Sequence, residues 1–293
     1  MEKTTKKIKK IKSSALNSVD LLEPEKISVE DLVKVYKQGK IEVVALRGLK
    51  TTFYPGITCI MGPSGCGKTT LLNLIGGLDK TTAGKILIGD FDITKLADKE
   101  LDKFRRNNIG FVFQMFNLVP TLTGEENIDL PMTLIGKSKS ERKSRVNELL
   151  SLFKIADRKE HRPDELAGGE QQRFAIAAAL ANNPNIVLCD EPTGELDSKS
   201  RDNFLEALTQ LIKKYPNKIV IIATHDQNIS KIADYLYGIE DGLITEELTK
   251  GQLEEFSKTT AIKPEITLEK MRELNKLKKD MEELSEKIKK FEI

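Results

Sequence analysis

The sequence lacks a long hydrophobic run, because no segment carries the about 18 consecutive apolar residues of a transmembrane helix. Its start carries lysines instead of the apolar core of a secretory signal. Cysteine is scarce, with three residues and no C-x-x-C pair, so we expect a reducing, cytosolic compartment and neither disulfides nor zinc. The net charge is only +2, so the overall charge gives no reason to expect binding to nucleic acid. The hydrophobic content of 39% is nevertheless ordinary for a soluble fold with a full core.

Composition divides the chain into three parts. Residues 1–27 form a lysine-rich extension, interpreted either as a solvated, flexible tail or as a segment weakly attracted to an anionic membrane surface. Residues 28–250 have a globular composition, and residues 251–293 predict a helix that packs on its own domain or pairs within a dimer. The apolar seam of that helix consists of Leu268, Met271, Leu274, Leu277, Met281, Leu284, Ile288 and Phe291.

A glycine-rich octet lies between an apolar strand, predicted over 57–61, and an apolar helix. It fits G-x-x-x-x-G-K-[ST] at every fixed position and predicts a phosphate-binding P-loop rather than a chance turn. Glycines let backbone N–H groups approach the phosphates, the helix N-terminus adds positive potential, and the lysine adds a full charge. The residues assigned to this site are Gly62, Pro63, Ser64, Gly65, Cys66, Gly67, Lys68, Thr69 and, directly after the octet, Thr70.

Three further apolar strands end on polar residues. Because helical stretches separate them, they predict an α/β fold with a parallel sheet covered on both faces. Ligands of such sheets bind outside the carboxyl ends of the strands, so the terminal residues can converge although they lie far apart in sequence. The strands and their terminal residues are 109–113 with Gln114, 186–189 with Asp190 and Glu191, and 219–223 with Thr224 and His225.

Three of these side chains offer oxygen ligands for a metal ion beside a triphosphate. The Thr69 hydroxyl can bind Mg²⁺, and Asp190 fits the acidic partner that holds the same ion. The amide oxygen of Gln114 is a third ligand, and its amide N–H₂ can hydrogen-bond a water molecule. The sequence therefore predicts a magnesium site at Thr69, Gln114 and Asp190.

The remaining strand-end residues are suited to catalysis. Lys68 can neutralise phosphate oxygens, Glu191 can orient or deprotonate the attacking water, and His225 can hydrogen-bond the γ-phosphate. Taken singly, a histidine after a strand is typical of a buried structural residue, and an Asp-Glu pair is typical of a solvated turn. Their coincidence at strand ends beside a P-loop indicates function, with Glu191, His225, Gln114 and Lys68 as the catalytic set.

A second glycine pair, Gly168 and Gly169, lies in a segment that opens an alanine-rich helix over 174–181. Bare N–H groups and a helix dipole again predict an anion site, which also involves the neighbouring Ala167 and Glu170. A plain helix start is the alternative. One triphosphate does not need two helix ends from one chain, so this end is predicted to serve a nucleotide held by a second copy.

The motif set resembles that of the ATP-binding-cassette ATPases over about residues 28–250. The resemblance implies a P-loop, RecA-like core, a small antiparallel β subdomain and an α-helical subdomain at about 116–165. It implies ATP and Mg²⁺ as cofactors, ATP hydrolysis, and a head-to-tail dimer around two ATP molecules. It also implies transmembrane permease subunits that hold the protein at the inner face of the cell membrane. The motifs that carry it, in chain order, are the P-loop, Gln114, 166–173, 186–192, 194–197 and His225.

The resemblance adds roles for residues outside the strand ends. It implies that Asp197 links the two sites of the dimer and that Tyr36 stacks on adenine, although a structural tyrosine is the alternative. Ala167 stands where the family usually has a serine that donates to the γ-phosphate, and one hydrogen bond to a charged group is worth about 1.5–3 kcal/mol. We expect looser dimer closure or slower turnover, and not the loss of the chemistry.

One branch is resembled more closely. Stretches 114–120, 123–127 and 161–163 resemble the macrolide-exporter, lipoprotein-release and cell-division group, whose ATPases work with a separate permease. Glu125 and Glu126 are predicted to contact that permease. The alternatives are an ATP-driven regulator of an envelope or cell-division complex, a soluble cassette ATPase for DNA repair or translation, and a nucleotide-binding scaffold without turnover.

Overall fold

The computed structural model describes residues 22–39, 41–194, 196–252, 269, 271–273, 275 and 276. Its strands are β1 (Ile27–Gln38), β2 (Ile41–Phe53), β3 (Gly56–Met61), β4 (Ala83–Ile88), β5 (Phe91–Asp92), β6 (Ile109–Val112), β7 (Ile186–Asp190), β8 (Ile219–Thr224), β9 (Tyr235–Glu240) and β10 (Leu243–Leu248). Its α-helices are α1 (Lys68–Ile75), α2 (Asp98–Asn108), α3 (Gly124–Leu134), α4 (Lys139–Leu152), α5 (Gly168–Ala179) and α6 (Ser198–Lys214). Among these described helices, none is long and apolar enough to cross a bilayer.

A mixed sheet in the order β10-β9-β3-β8-β7-β6 forms the centre of the described fold. All neighbours in it pair in parallel except β10, which pairs antiparallel with β9 at one edge. β3, β7 and β8 are buried at every position. Successive side chains point to opposite faces, so Cys59 packs in one hydrophobic cluster and Ile60 in the other. The predicted α/β sheet covered on both faces is confirmed.

A second, antiparallel sheet has the order β2-β1-β4-β5. Its buried side chains, among them Ile27, Phe53 and Ile86, share a hydrophobic cluster with Leu71 and Leu72 of α1. Burial of this shared surface fixes the antiparallel sheet beside the P-loop helix. It is the small antiparallel subdomain that the family resemblance implied.

The region between β6 and β7 is helical. α3 and α4 each begin with a capping box, in which Thr123 pairs with Glu126 and Ser138 pairs with Glu141. One face of α4 packs into the core, because Val146, Leu149 and Leu150 are buried, and Phe153 directly after the helix is buried as well. α5 packs against α3 so closely that a Cβ atom on Gly124 would lie 2.4 Å from the Phe174 ring. A glycine at this position therefore permits the contact between the two helices.

Several predicted boundaries shift in the structure. β6 ends at Val112 instead of Phe113, because its pairing with β7 stops there. β7 and β8 each run one residue further than predicted, since Asp190 pairs with Ala223 and Thr224 pairs with Met61. α5 spans Gly168–Ala179 rather than 174–181, because the N–H groups of residues 170 and 171 already donate to the carbonyl of residue 167.

The chain is attached to the core before β1 begins. The Leu22 N–H donates to Asn108 Oδ1 at 2.6 Å, and Asn185 Nδ2 donates to the Leu22 carbonyl at 2.7 Å. Pro24 is buried. Leu22 and Pro24 therefore contact the core, whereas residues 1–21, with the lysines at the start of the chain, lie outside the described residues, so the flexible extension stays a prediction.

A short described part of the C-terminal segment lies against the edge of the central sheet. Residues 269, 271–273, 275 and 276 have helical backbone. Met271 is fully buried and belongs to the hydrophobic cluster that includes Leu248. Arg272 pairs with Glu240 at the end of β9. This supports packing on the chain's own domain, whereas the apolar seam from Leu277 onward lies outside the described residues.

Candidate functional site

The P-loop connects β3 to α1 through backbone that only glycine adopts easily. Gly67, the N-cap of α1, has φ of 108°. Gly62 needs no special φ, but a Cβ atom there would lie 2.2 Å from the Ile239 carbonyl oxygen. The loop is therefore pressed against β9, and it leaves the first N–H groups of α1 available to an anion.

Lys68 is buried, yet its ammonium group lies at the mouth of this loop. Its Nζ donates to the Gly62 carbonyl at 2.8 Å and to the Pro63 carbonyl at 3.1 Å. The same Nζ lies 3.9 Å from Oε1 of Glu191. The positive charge is thus stabilised by carbonyl dipoles and one carboxylate, and phosphate oxygens can take the place of the carbonyls as acceptors.

Thr69 and Asp190 meet at the carboxyl ends of β3 and β7. The Thr69 hydroxyl donates to Asp190 Oδ1 at 3.1 Å. Burial raises the pKa of Asp190, Glu191 raises it further, and the Thr69 hydrogen bond opposes both. A hydroxyl and a carboxylate oxygen in contact are ligands of the kind that Mg²⁺ prefers. A bound cation would offset the desolvation free energy of an ionised, buried Asp190, so these residues fit the predicted Mg²⁺.

Gln114 lies across from the turn that follows β7. It is exposed, and its Nε2 lies 3.9 Å from the point where a Cβ atom on Gly194 would sit. Gly194 in turn donates its N–H to the Glu191 carbonyl at 3.2 Å. The amide of Gln114 therefore borders the turn that carries Glu191.

Glu191 occupies an unusual backbone conformation for a residue with a side chain. Its φ is 45°, in the left-handed region, while its N–H donates to the Ala223 carbonyl at 2.8 Å. Its Oε2 lies 2.9 Å from Nδ1 of His225, whose side chain is 74% exposed. Strained residues of this kind concentrate at functional sites because the conformation aims a side chain. Here it aims the carboxylate between Lys68 and His225.

Tyr36 lies on β1 beside the P-loop helix. Burial raises the pKa of its phenol, the Thr70 hydroxyl opposes this shift, and Asp79 reinforces it. The hydroxyl donates to Asp79 Oδ2 at 2.9 Å, and 38% of the residue remains exposed. The structure therefore brings an accessible aromatic ring close to Thr70, and the stacking of this ring on adenine stays a prediction.

The second glycine pair lies at the tip of α5. Ala167 is the N-cap and has no side-chain acceptor for the helix N–H groups. Glu170 accepts from the Ala167 N–H at 3.0 Å and pairs with Arg158 at 3.2 Å. A Cβ atom on Gly169 would lie 2.1 Å from the Ser200 hydroxyl, so this glycine is required by contact with α6.

Asp197 caps the start of α6 and is exposed. Its Oδ1 accepts from the Ser200 N–H at 2.7 Å, and this hydrogen bond lowers its pKa. Asp197 and Gly169 therefore both contact Ser200, a residue that the sequence reasoning missed. No local pattern identified Ser200, because its importance comes from the approach of two helix starts.

Asp226 is a second residue that sequence reasoning missed. It accepts from the Thr193 hydroxyl at 3.2 Å and lies 3.8 Å from Nε of Arg201 on α6. These contacts connect the turn after β7, the end of β8 and the start of α6. Its position directly after His225 was the available signal.

The predicted residues thus form two clusters. The first cluster lies at one end of the parallel strands and is joined by hydrogen bonds and ion pairs among Lys68, Thr69, Asp190, Glu191 and His225. The second cluster, at the tips of α5 and α6, contains Ala167, Gly168, Gly169, Glu170 and Asp197. The first cluster can hold a metal-bound phosphate chain and a water molecule, and the second presents helix N–H groups to an anion.

Comparison with known proteins gives a consistent result. The family model described as ABC transporter matches residues 46–194. An uncharacterized ABC transporter ATP-binding protein of Thermotoga maritima is 44% identical over 215 residues, covering 73% of this chain and 91% of that protein. The macrolide export ATP-binding/permease protein MacB of Brucella abortus is 41% identical over 225 residues, covering 76% of this chain and 34% of MacB.

A solved structure agrees with these relatives. It is described as a dimeric, post-hydrolysis state of the ATP-binding cassette MJ0796 bound to ADP and Pi, and MJ0796 is a protein of Methanocaldococcus jannaschii. The two chains are 40% identical with a TM-score of 0.72, and the match covers 76% of this chain and 98% of that one. The fold and the motif set are thus shared with a nucleotide-binding cassette. The chain belongs to the ABC transporter family, and it is an ATP-binding subunit that hydrolyses ATP.

Proposed function

We propose that two copies of this chain pair head to tail and enclose two ATP molecules between them. Each nucleotide lies between the P-loop of one copy and the Gly168–Gly169 tip of the other. The observation that carries this proposal is the division of the site into two clusters. His225 is 74% exposed beside Lys68 and Glu191, so the first cluster is open on one side. The tip of α5, where Ala167 is exposed and both glycines are partly exposed, is the anion site that can close it.

Within this site, the residues of the first cluster and the neighbouring Gln114 and Tyr36 have separate tasks. Lys68 binds phosphate oxygens in place of the P-loop carbonyls that it now contacts. Thr69 and Asp190, with Gln114, hold Mg²⁺, which supplies charge that stabilises the phosphate oxygens. Tyr36 supports the adenine base. The contacts of Lys68, Thr69 and Asp190 and the family resemblance of the motifs support these assignments.

Glu191 is the residue that acts on water. An oxygen of the attacking water forms a bond to the γ-phosphorus while the bond from phosphorus to the β-phosphate oxygen breaks, so ADP leaves. The proton of the water passes to the Glu191 carboxylate, and His225 donates a hydrogen bond to the transferred phosphoryl group. The fixed left-handed conformation of Glu191 keeps its carboxylate between Lys68 and His225 before ATP arrives.

We further propose that the partner driven by this dimer is a transmembrane permease. Met115, beside Gln114, and Leu134, on α3, are 75% and 61% exposed, so each offers apolar surface that a bound partner would bury. Glu126 is a poorer candidate than the sequence suggested, because its carboxylate accepts from the Thr123 N–H at 2.8 Å. Glu125 lies 3.4 Å from Lys159 and is still partly exposed.

The permease type proposed is that of the macrolide-exporter, lipoprotein-release and cell-division group. The name of MacB combines an ATP-binding part with a permease, and this chain spans 34% of it. An ATP-driven regulator of an envelope complex is the second candidate, since the same ATPase cycle would serve it. The identity of the permease that co-purifies with the chain separates the two.

Subunit mixing tests the shared site. We expect Lys68→Ala and Gly169→Glu to be inactive when each is purified alone, because each change damages both sites of a homodimer. In a mixed dimer, one of the two sites is intact, because the Gly169→Glu subunit supplies its P-loop and the Lys68→Ala subunit supplies its α5 tip. ATPase activity should therefore reappear on mixing, measured as phosphate release. A mixture as inactive as its components, although mixed dimers form, would contradict the shared site.

Ala167→Ser should raise ATPase activity. The hydroxyl adds a donor to the γ-phosphate across the dimer, and one hydrogen bond to a charged group corresponds to about 10- to 150-fold in affinity. Dimerisation on ATP, measured by light scattering, should tighten together with the faster phosphate release. The change also supplies the N-cap acceptor that α5 lacks, worth about 0.5–2 kcal/mol of stability.

Ala97→Ser is the matched control for Ala167→Ser. Ala97 is the N-cap of α2, also without a side-chain acceptor, and Glu100 accepts from its N–H at 2.9 Å. This control should raise thermal stability and leave ATPase activity unchanged. An Ala167→Ser protein that dimerises normally and hydrolyses no faster would show that the missing hydroxyl does not limit the reaction.

A further inference from the structure

The hydroxyl group of Tyr36 is hydrogen-bonded, whereas part of its ring is accessible to solvent. Its residue is 38% exposed, so a ring face is accessible beside the P-loop helix. Its hydroxyl nevertheless donates to Asp79 Oδ2 at 2.9 Å, across 43 residues of sequence. Asp79 follows α1 in a segment to which neither the motifs nor the proposed function assigns a role.

Asp79 is the centre of a small network. Its Oδ1 accepts from Lys34 Nζ at 2.7 Å and from the Lys80 N–H at 2.7 Å. Lys34 is buried, and its Nζ also donates to the Lys80 carbonyl at 2.8 Å. The same Nζ lies 4.7 Å from the centroid of the Tyr36 ring, within cation–π distance.

The charges of this network fit its geometry. Burial raises the pKa of Asp79, but hydrogen bonds from Lys34 and Tyr36 outweigh burial and hold the pKa below its ordinary value. The carboxylate is therefore ionised and accepts from both groups at neutral pH. Lys34 and Tyr36 are two residues apart on β1, so their side chains leave the strand on the same face.

We propose that Asp79 and Lys34 position the Tyr36 ring as a preformed platform for the adenine base, a proposal that rests on the nucleotide function proposed above. Asp79 fixes the hydroxyl end of the ring, and Lys34 supports the ring through its ammonium group. A platform that is already fixed loses little conformational entropy when the base stacks on it. Asp79 is a positioning residue, since it acts on the base through Tyr36.

The test compares ATP with a ligand that has phosphates and no base. Calorimetry measures the binding of ATP and of inorganic tripolyphosphate to the full chain. Tyr36→Ala should weaken ATP binding by about 5- to 150-fold, the range for loss of one base–aromatic stack. Asp79→Ala should weaken it by about 2- to 10-fold, equivalent to one hydrogen bond. Neither change should alter tripolyphosphate binding.

Two further readouts separate positioning from a structural role. Asp79→Ala should raise KM for ATP and leave kcat at saturating ATP unchanged. In the Tyr36→Ala protein, adding Asp79→Ala should cost little more, because both residues act through the same ring. Tyr36→Phe keeps the ring and removes only the hydroxyl, so it should weaken ATP binding by the same factor as Asp79→Ala. The proposal can therefore be tested with Tyr36→Phe even if Asp79→Ala fails to fold.

Asp98→Ala is the matched control, because this carboxylate pairs with the Lys80 side chain and, within the described residues, does not pair with Tyr36 or Lys34. It should leave the binding of both ligands unchanged. Lys68→Ala should weaken both ligands, and its failure to do so would overturn the proposed nucleotide site itself. If Lys68→Ala behaves as expected while Asp79→Ala and Tyr36→Phe weaken both ligands equally, or weaken neither, only the platform proposal is overturned.

Discussion

Glu191→Gln should lower steady-state ATP hydrolysis by about 100-fold or more, the usual contribution of a positioned general base. Glutamine has the size and shape of glutamate, and its amide oxygen can still accept the His225 N–H, which now donates to Oε2 at 3.3 Å. It cannot take a proton from water. The site should therefore bind Mg-ATP normally while the chemical step stops, as measured by phosphate release and by nucleotide binding on the same preparation.

The same variant should accumulate as an ATP-bound dimer. In the proposed dimer, hydrolysis removes the γ-phosphate that the two clusters share, so a blocked step leaves the shared ligand in place. Light scattering with Mg-ATP should report twice the monomer mass, and Lys68→Ala in the same chain should return it to the monomer. Glu160→Gln is the control, because the Glu160 side chain is 79% exposed and lies outside both clusters. A Glu191→Gln protein that hydrolyses ATP at the wild-type rate would remove Glu191 from the mechanism.

Phe174→Ala should destabilise the protein by about 3–5 kcal/mol, the cost of deleting a fully buried aromatic side chain. Phe174 has no exposed surface and joins α5 to α3 at Gly124. Chemical denaturation measures the loss as a lower midpoint. The cavity left by the Phe174 ring is not easily filled by neighbouring atoms, since the ring contacts Gly124, which has no side chain that could move into it.

The consequence of Phe174→Ala extends to the second cluster. α5 carries Gly168 and Gly169 at its first turn, so a looser contact with α3 leaves the α5 tip less well placed. We expect dimerisation on ATP to weaken even at temperatures where the protein remains folded. Leu134→Ala provides the comparison, because Leu134 is 61% exposed and its truncation should change stability by no more than about 0.5 kcal/mol. Equal losses for both variants would contradict the packing argument.

The sheet and the first cluster were predictable because their signals are local. The runs that became β3, β7 and β8 are apolar at almost every position, which is the pattern of strands buried on both faces. Once these strands are parallel, the residues that follow them must meet at one edge. Asp190 and His225 could therefore be placed near the P-loop without any knowledge of the three-dimensional structure.

The parts that escaped prediction depend on contacts between distant segments. Asp79 lies 43 residues from Tyr36, and the hydrogen bond between them has no sequence signature. The role of Ser200 is apparent only in the structure, where the starts of α5 and α6 approach each other at Gly169. The left-handed backbone of Glu191 was equally hidden, since glutamate itself gives no reason to expect it.

Met271 has a consequence for how the polypeptide acquires its structure during translation. The segment resembling other cassettes ends near residue 250, but a fully buried side chain of the same hydrophobic cluster comes 21 residues later. When the nascent chain has been synthesised as far as residue 250, part of this apolar cluster is therefore still exposed to water. Completion of the native interior must wait until Met271 has emerged from the ribosome, and that delay exposes the unfinished cluster to chaperones.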